Sequence, residues 1–200
     1  YLDDYGCLLN ALLSLYEASF DERWIDQAAR LTDVVLARFI DEREGGFFFT
    51  ADDHERLIAR HKDMQDGSVP SGNASIAMSL VRLAKLTGNE RYVERVERTL
   101  ASFAGLMKDH PMAAGQMLLA LDLHLGPSPE MVFVAEAPSE FLRLALATLR
   151  GGFRPNKTVA CRTRLPAGQY RSALLDTLFA GKEPGPTGTS LYVCENFSCQ

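Results

Sequence analysis

Two hundred residues, 46% of them hydrophobic and 24% charged, suffice for one sizeable domain or two small ones with a real core. A net charge of −5 supplies none of the clustered Lys and Arg that nucleic acid or an anionic bilayer demands, and no apolar run approaches the roughly 20 residues of a membrane span. No nucleic-acid or membrane partner is expected. The first residues lack the basic and apolar regions of a signal peptide, which points to the cytoplasm, and a chain opening at Tyr1 inside a helical pattern reads as a fragment that continues N-terminally.

In chain order, apolar residues at Leu8, Leu9, Leu12, Leu13, Leu15 and Tyr16 give a helical rhythm from Asp4 to Ser19. Asp21 is placed to cap a second helix carrying Trp24, Ile25, Ala28, Leu31, Val34, Val35 and Phe39, which should stop at Glu44-Gly45-Gly46. Aromatic and branched residues at Phe47–Thr50 and Leu57–Arg60, either side of turn formers, predict a β-hairpin insertion over about 47–61. Helices follow over about 73–86 and 90–107, then over 112–125, ending at Gly126-Pro127.

Beyond Pro129 the texture changes. Met131–Ala135 and Lys157–Cys161 read as strands around a helix over 139–150, a βαβ unit, with a short helix near 172–180 and a last strand at 190–194. The chain therefore divides at 126–130, with a helical-hairpin part over 1–126 and a small α/β part over 130–200. Four cysteines, Cys7, Cys161, Cys194 and Cys199, are too sparse for a disulfide framework, so reduced thiols are expected. The spacing of Cys194 and Cys199 is not CxxC, and two thiols alone make only half a zinc site; no metal and no cofactor are expected.

The helical part nearly repeats itself. Leu12–Ile25 recurs 68 positions on as Leu80–Val93, which pairs Arg23 with Arg91 and Trp24 with Tyr92, and such units stack on their copies. The same register sets Asp4 against Gly72 and Tyr5 against Asn73, so the starts of the two equivalent helices should share one rim.

Asp3-Asp-Tyr5, the Leu-Tyr-Glu-Ala-x-Phe-Asp-x-x-Trp stretch ending at Trp24, Gly45-Gly-Phe-Phe-Phe-Thr50, Asp66-Gly-x-x-Pro-Ser-Gly-Asn73 and Tyr192-Val-Cys-Glu-Asn-Phe-x-Cys199 together carry a resemblance. The chain resembles the C-terminal part of the thioredoxin-domain-containing proteins related to spermatogenesis-associated protein 20. The resemblance implies a six-hairpin (α/α) toroid, similar to that of N-acylglucosamine 2-epimerases and six-hairpin glycosidases, preceded by a thioredoxin-like domain. This chain contains no CxxC and only about three helical hairpins. The expected fold is thus mainly α: a partial (α/α) toroid with a β-hairpin insertion, followed by a small α/β unit. The absent thioredoxin-like domain becomes an expected partner, and helix faces left open by the missing hairpins would be exposed or would self-associate.

Asp66–Asn73 has the chemistry of a site. Gly67 and Gly72 allow tight turns, Ser71 or Asn73 can cap the next helix, and amides at a helix start hold polar ligands. Asp66 together with Asp4, on the shared rim, would suit glycosyl transfer or hydrolysis, one as acid and the other as base or nucleophile. The plainer alternative has Asp66 and Ser71 satisfying loop and cap hydrogen bonds, and Asp4 serving the helix dipole. Tyr5, Ser71, Gly72 and Asn73 line the proposed mouth, and His61 adds an imidazole nearby, or stands exposed. Trp24 and Tyr92 read as interhelix packing residues. The preferred reading is a glycosidase-like fragment whose mouth binds or transforms a carbohydrate. Two others compete with it: a non-catalytic scaffold for the absent thioredoxin-like domain, and a helical-repeat interaction module.

Overall fold

A computed structural model describes residues 1–55, 58–195 and 197–199. The molecule is mainly α. Helices α1 (Leu2–Ser19) and α2 (Arg23–Arg38) form the first hairpin; α3 (Gly72–Thr87) and α4 (Glu90–Ser102) form the second, extended by α5 (Ala104–Asp109); α6 (Gly115–Leu125) follows a single 3-10 turn. The N-cap of α2 is Glu22, one position beyond the expected Asp21, whose Oδ1 nonetheless accepts the Arg23 amide at 3.1 Å. Asn89 does the same for Arg91 at 3.0 Å, which gives the two hairpins equivalent starts to their second helices.

The repeat register is visible in the packing. α1 and α3 run parallel, with Gly6 against Ser75, the Asn10 amide donating to the Ser75 carbonyl at 3.1 Å, and Arg82 paired with Glu17. α3 lies in the middle, with α1 on one side, α6 on the other and α4 across it, so 13 of its 16 residues are buried, against six of 18 in α1. Tyr92 is buried and Trp24 partly so, both against the core, as packing residues should be.

Two details differ from the sequence reading. α2 ends at Arg38 rather than at the glycines, because Asp41 organises a turn: its Oδ1 accepts the Arg43 and Glu44 amides, and Lys62 pairs with Oδ2 at 2.7 Å. The insertion keeps its β character in reduced form. Phe47 bridges Ile40 and the Phe49 amide donates to the His61 carbonyl, but the Phe47 amide and carbonyl are both taken by the Asn73 side chain instead of a strand partner. Leu57, the first residue of the expected second strand, lies outside the described residues, as does Arg56 before it.

The α/β unit contains β1 (Glu130–Ala135), α7 (Glu140–Arg150), β2 (Thr158–Thr163), α8 (Asp176–Phe179), β3 (Thr189–Glu195) and β4 (Ser198–Cys199), in sheet order β2-β1-β3-β4. β1 and β2 are parallel and β3 is antiparallel to β1. Alternation splits the sheet faces. Phe133, Ala135, Val159 and Cys161 meet α7, whereas Val132, Val134 and Ala160 join α8 and the helical hairpins in one core. Glu22, 1% exposed, ties the two parts together: it receives two bonds from Arg162 at 2.8 and 2.9 Å, one from Arg171 at 3.2 Å and one from the Ser172 amide at 2.7 Å.

The thiols are not uniform. Cys7 and Cys161 are free, and burial pushes the Cys161 thiol up to about 12, which keeps it protonated and unreactive. Cys194 is disulfide-bonded, contrary to the expectation of reduced thiols throughout. Spacing along the chain could not anticipate this, because it depends on strand pairing; the β3–β4 turn sets Cys194 opposite Cys199 in the ladder.

Candidate functional site

The starts of α1 and α3 meet, as the repeat register implied, and the start of α6 joins them through Asp66. A Cβ placed on Gly72 would lie 2.4 Å from Asp3 Oδ1, and one on Gly115 would lie 3.8 Å from Asp66 Oδ2. Glycine at 72 therefore makes the space in which the Asp3 carboxylate sits.

Asp66 is held by two helix starts. Its Oδ1 accepts the Ser71 amide at 2.9 Å, its Oδ2 accepts the Gln116 amide at 2.8 Å, and its own amide donates to the Ala113 carbonyl. A carboxylate so placed satisfies amides left free at the starts of α3 and α6 and complements their dipoles. Ser71 is the N-cap of α3, its Oγ accepting the Ala74 amide at 3.3 Å. Asn73, with 0% exposure, accepts from the Phe47 amide at 2.7 Å and donates to the carbonyls of Phe47 at 2.9 Å and Asp63 at 3.2 Å. These side chains shape the loop that forms one wall of the rim.

The remaining residues singled out from sequence face outward or pack. Asp4 is exposed in the first turn of α1, and Tyr5 is half-buried with its ring 5.0 Å from that of Phe39. His61 is exposed and its ring lies 4.9 Å from Phe49, which stacks on Tyr1 at 5.0 Å; His54 approaches Tyr1 at 5.5 Å. An aromatic row thus crosses the start of α1. Phe48 lies apart from it, beneath the Arg60 guanidinium at 4.2 Å.

Asp3 and Asp63 went unassigned in the sequence. The Asp3 Oδ1 atom is buried and has no hydrogen-bond partner of good geometry among the described residues. Burial raises the Asp3 pKa above the usual carboxylate range, the Asp63 carboxylate adds to the rise, and the neighbouring Gly72 amide pulls the other way. A carboxyl group raised in this way is a better proton donor, the property that the acid of glycoside chemistry needs. The one signal in the sequence was the 68-residue register, which sets Asp3 beside the Gly-rich segment without saying which way its side chain turns.

The model of glycosyl hydrolase family 47 matches residues 8–120, which takes in the loop from Asp66 to Asn73 and both helical hairpins apart from residues 2–7 of α1, where Asp3, Asp4 and Tyr5 lie, and stops within α6. Spermatogenesis-associated protein 20 of Homo sapiens is 30% identical over 200 residues, all of this chain and 25% of that protein. The uncharacterized protein B0495.5 of Caenorhabditis elegans is 26% identical over 199 residues, 26% of its length, and the putative endoplasmic reticulum mannosidase MNL2 of Saccharomyces cerevisiae is 30% identical over 99 residues, 48% of this chain and 11% of that one. The chain spans about a quarter of the length of the first two. With the helical hairpins that build the rim matched over more than half its residues, and with the C-terminal part of spermatogenesis-associated protein 20 matched along its whole length, the chain belongs to glycosyl hydrolase family 47.

Proposed function

We propose that the rim binds a carbohydrate and that Asp3 is the acid of a glycoside-cleaving pair. One observation carries the reading: a carboxylate oxygen that is buried, without a hydrogen-bond partner among the described residues and on a carboxyl raised in pKa, at the rim of a helical array whose hairpins match a glycosidase family from residue 8 onward. A protonated Asp3 donates its proton to the glycosidic oxygen as the bond to the anomeric carbon breaks. Water adds to that carbon and gives its proton to a second carboxylate, for which Asp63 is the assignment. Tyr1, Phe49 and His61 offer ring faces to the sugar, while Asp66, Ser71 and Asn73 hold the loop and helix starts in position. Asp4 and Tyr5 flank the opening.

The test uses the full-length protein and a panel of glycosides, with Asp3→Asn as the variant. Turnover should fall by about 100-fold or more, with sugar binding and circular dichroism retained. Undiminished turnover by Asp3→Asn would remove Asp3 from the chemistry. Absence of both turnover and sugar binding in the parent would favour the scaffold reading, in which the helical array positions the thioredoxin-like domain of the longer protein. The proposal includes a cytoplasmic setting, which cell fractionation checks. A disulfide at Cys194 is uncommon in a reducing compartment and gives that measurement its interest. No helix among the described residues is long and apolar enough to cross a membrane.

A further inference from the structure

The α/β unit lies outside the stretch matched by the family model, and its topology creates a second concavity. From β1 the chain crosses to β2 through α7 on one face of the sheet, then returns past β1 to β3 through α8 on the other. β1 is therefore a switch point. In open α/β sheets, connections that part in this way leave a crevice outside the carboxyl ends of the strands, and ligands bind there.

A cavity of about 310 Å³ occupies that place, between the carboxyl end of β2 and α8. Its wall is basic: Arg162, Arg164, Arg171 and Lys182 face it, with Glu183 the single acid and Phe179 an apolar side. Two of the four cations are already engaged. Arg162 and Arg171 share the buried Glu22; Arg162 also pairs with Asp176 at 3.3 Å and lies 4.2 Å over the Phe179 ring. The other two are available. Lys182 makes no ion pair among the described residues, its Nζ lying 6.0 Å from the Tyr192 ring centre. Arg164 pairs with Glu136 at 3.6 Å and with Glu183, and all three side chains are at least half exposed, where such pairs are worth little.

We propose that this cleft is an anion site for the phosphate group of a small phosphorylated molecule, held by Lys182 and Arg164 with Arg171 behind them. Charge selects phosphate over carboxylate. A carboxylate would only duplicate what Glu183 already gives Arg164, whereas a dianion with three acceptor oxygens can displace Glu183 and engage Lys182 at the same time. The volume lies at the lower end of that of small-molecule sites, which suits a head group rather than a dinucleotide. The site is at the opposite end of α1 from the rim and stands independently of the carbohydrate reading: α1 starts beside Gly72, and Glu22, just past its end, binds the arginines of the cleft.

Isothermal titration of the full-length protein with inorganic phosphate, and separately with acetate at matched ionic strength, tests it. Phosphate should bind once per chain and at least about tenfold more tightly than acetate. Lys182→Ala and Arg164→Ala should each weaken it by about tenfold, the loss of one charge-assisted contact. Lys182→Arg should retain binding, and Lys108→Ala, which removes an exposed cation from α5, should change nothing. No phosphate heat in the parent, equal binding of acetate, or unchanged phosphate affinity in Lys182→Ala would each overturn the proposal. Because neither Lys182 nor Arg164 supports buried structure, loss of binding with an unchanged circular dichroism spectrum is readable as loss of the site.

Discussion

Three side chains at the rim have roles set by their surroundings. Asn73 is amide chemistry turned inward: replacing it with Ala leaves the Phe47 amide and carbonyl and the Asp63 carbonyl short of a partner, at a cost on the order of 3 kcal/mol in a denaturant titration. Asp66 meets two amides from two helices, so its carboxylate serves structure at both ends. Asp3 is the opposite case. Burial first, then the Asp63 carboxylate, raises its pKa above 3.8, so the folded protein holds that proton more tightly than the unfolded chain does. Its favourable contribution is complete below 3.8 and is lost as the pH rises through the folded-state value. Asp3→Asn, which stays neutral, should therefore melt at a higher temperature than the parent at pH 7 and converge with it below 3.8; a less stable variant at pH 7 would contradict this account.

The elements are positioned by small residues as much as by large ones. α1 and α3 approach so closely that a Cβ on Gly6 would fall 2.7 Å from the Ser75 Cβ. Gly6→Ala should thus destabilise the protein by about 1–3 kcal/mol despite the better helix propensity of Ala, because the helices must move apart. Gly105, in α5, meets nothing within 4 Å. There the same change should stabilise by about 0.5–1 kcal/mol, so the two variants together separate packing from propensity. Acid acts on the turn after α2 in the familiar direction. Burial opposes the charge on Asp41, but Lys62 and the Arg43 and Glu44 amides outweigh it and hold the carboxyl at about 2, so the turn keeps its ion pair until the pH falls through that value.

At the scale of the molecule, the helical hairpins and the α/β unit share a core. Val132, Val134, Ala160, Leu178 and Phe179 belong to the same cluster as Leu80, Leu83 and Val96. Glu22 adds a buried polar joint, in which one carboxylate satisfies Arg162, Arg171 and the Ser172 amide. Glu22→Ala would leave Arg171 without its counter-ion, Arg162 with only the exposed Asp176, and the Ser172 amide without its acceptor, and should cost about 3 kcal/mol. We expect unfolding in one transition, with Trp24 fluorescence and far-ultraviolet circular dichroism coinciding; separate transitions would instead make the break at 126–130 a boundary between independently folding units.

Most of the architecture was legible locally. The apolar period of α1, the turn formers between helices, the change to branched residues after Pro129 and the 68-residue register all act through neighbours a few positions apart or through repetition, so sequence alone determined the hairpins, the βαβ unit and the approach of the α1 and α3 starts. The register also put the start of α1 beside Gly72, though it is Asp3 and Leu2 that meet that glycine while Asp4 is exposed and Tyr5 packs against Phe39. Tertiary structure decided what each polar group does there. A carboxylate is a cap, an acid or a counter-ion according to the amides and charges that reach it, and for Asp66 these come from residues 71 and 116, for Asp3 from residues 63 and 72, and for Glu22 from residues 162, 171 and 172. Desolvation and Coulomb interaction depend on distance through space, and that distance exists only once the chain has folded.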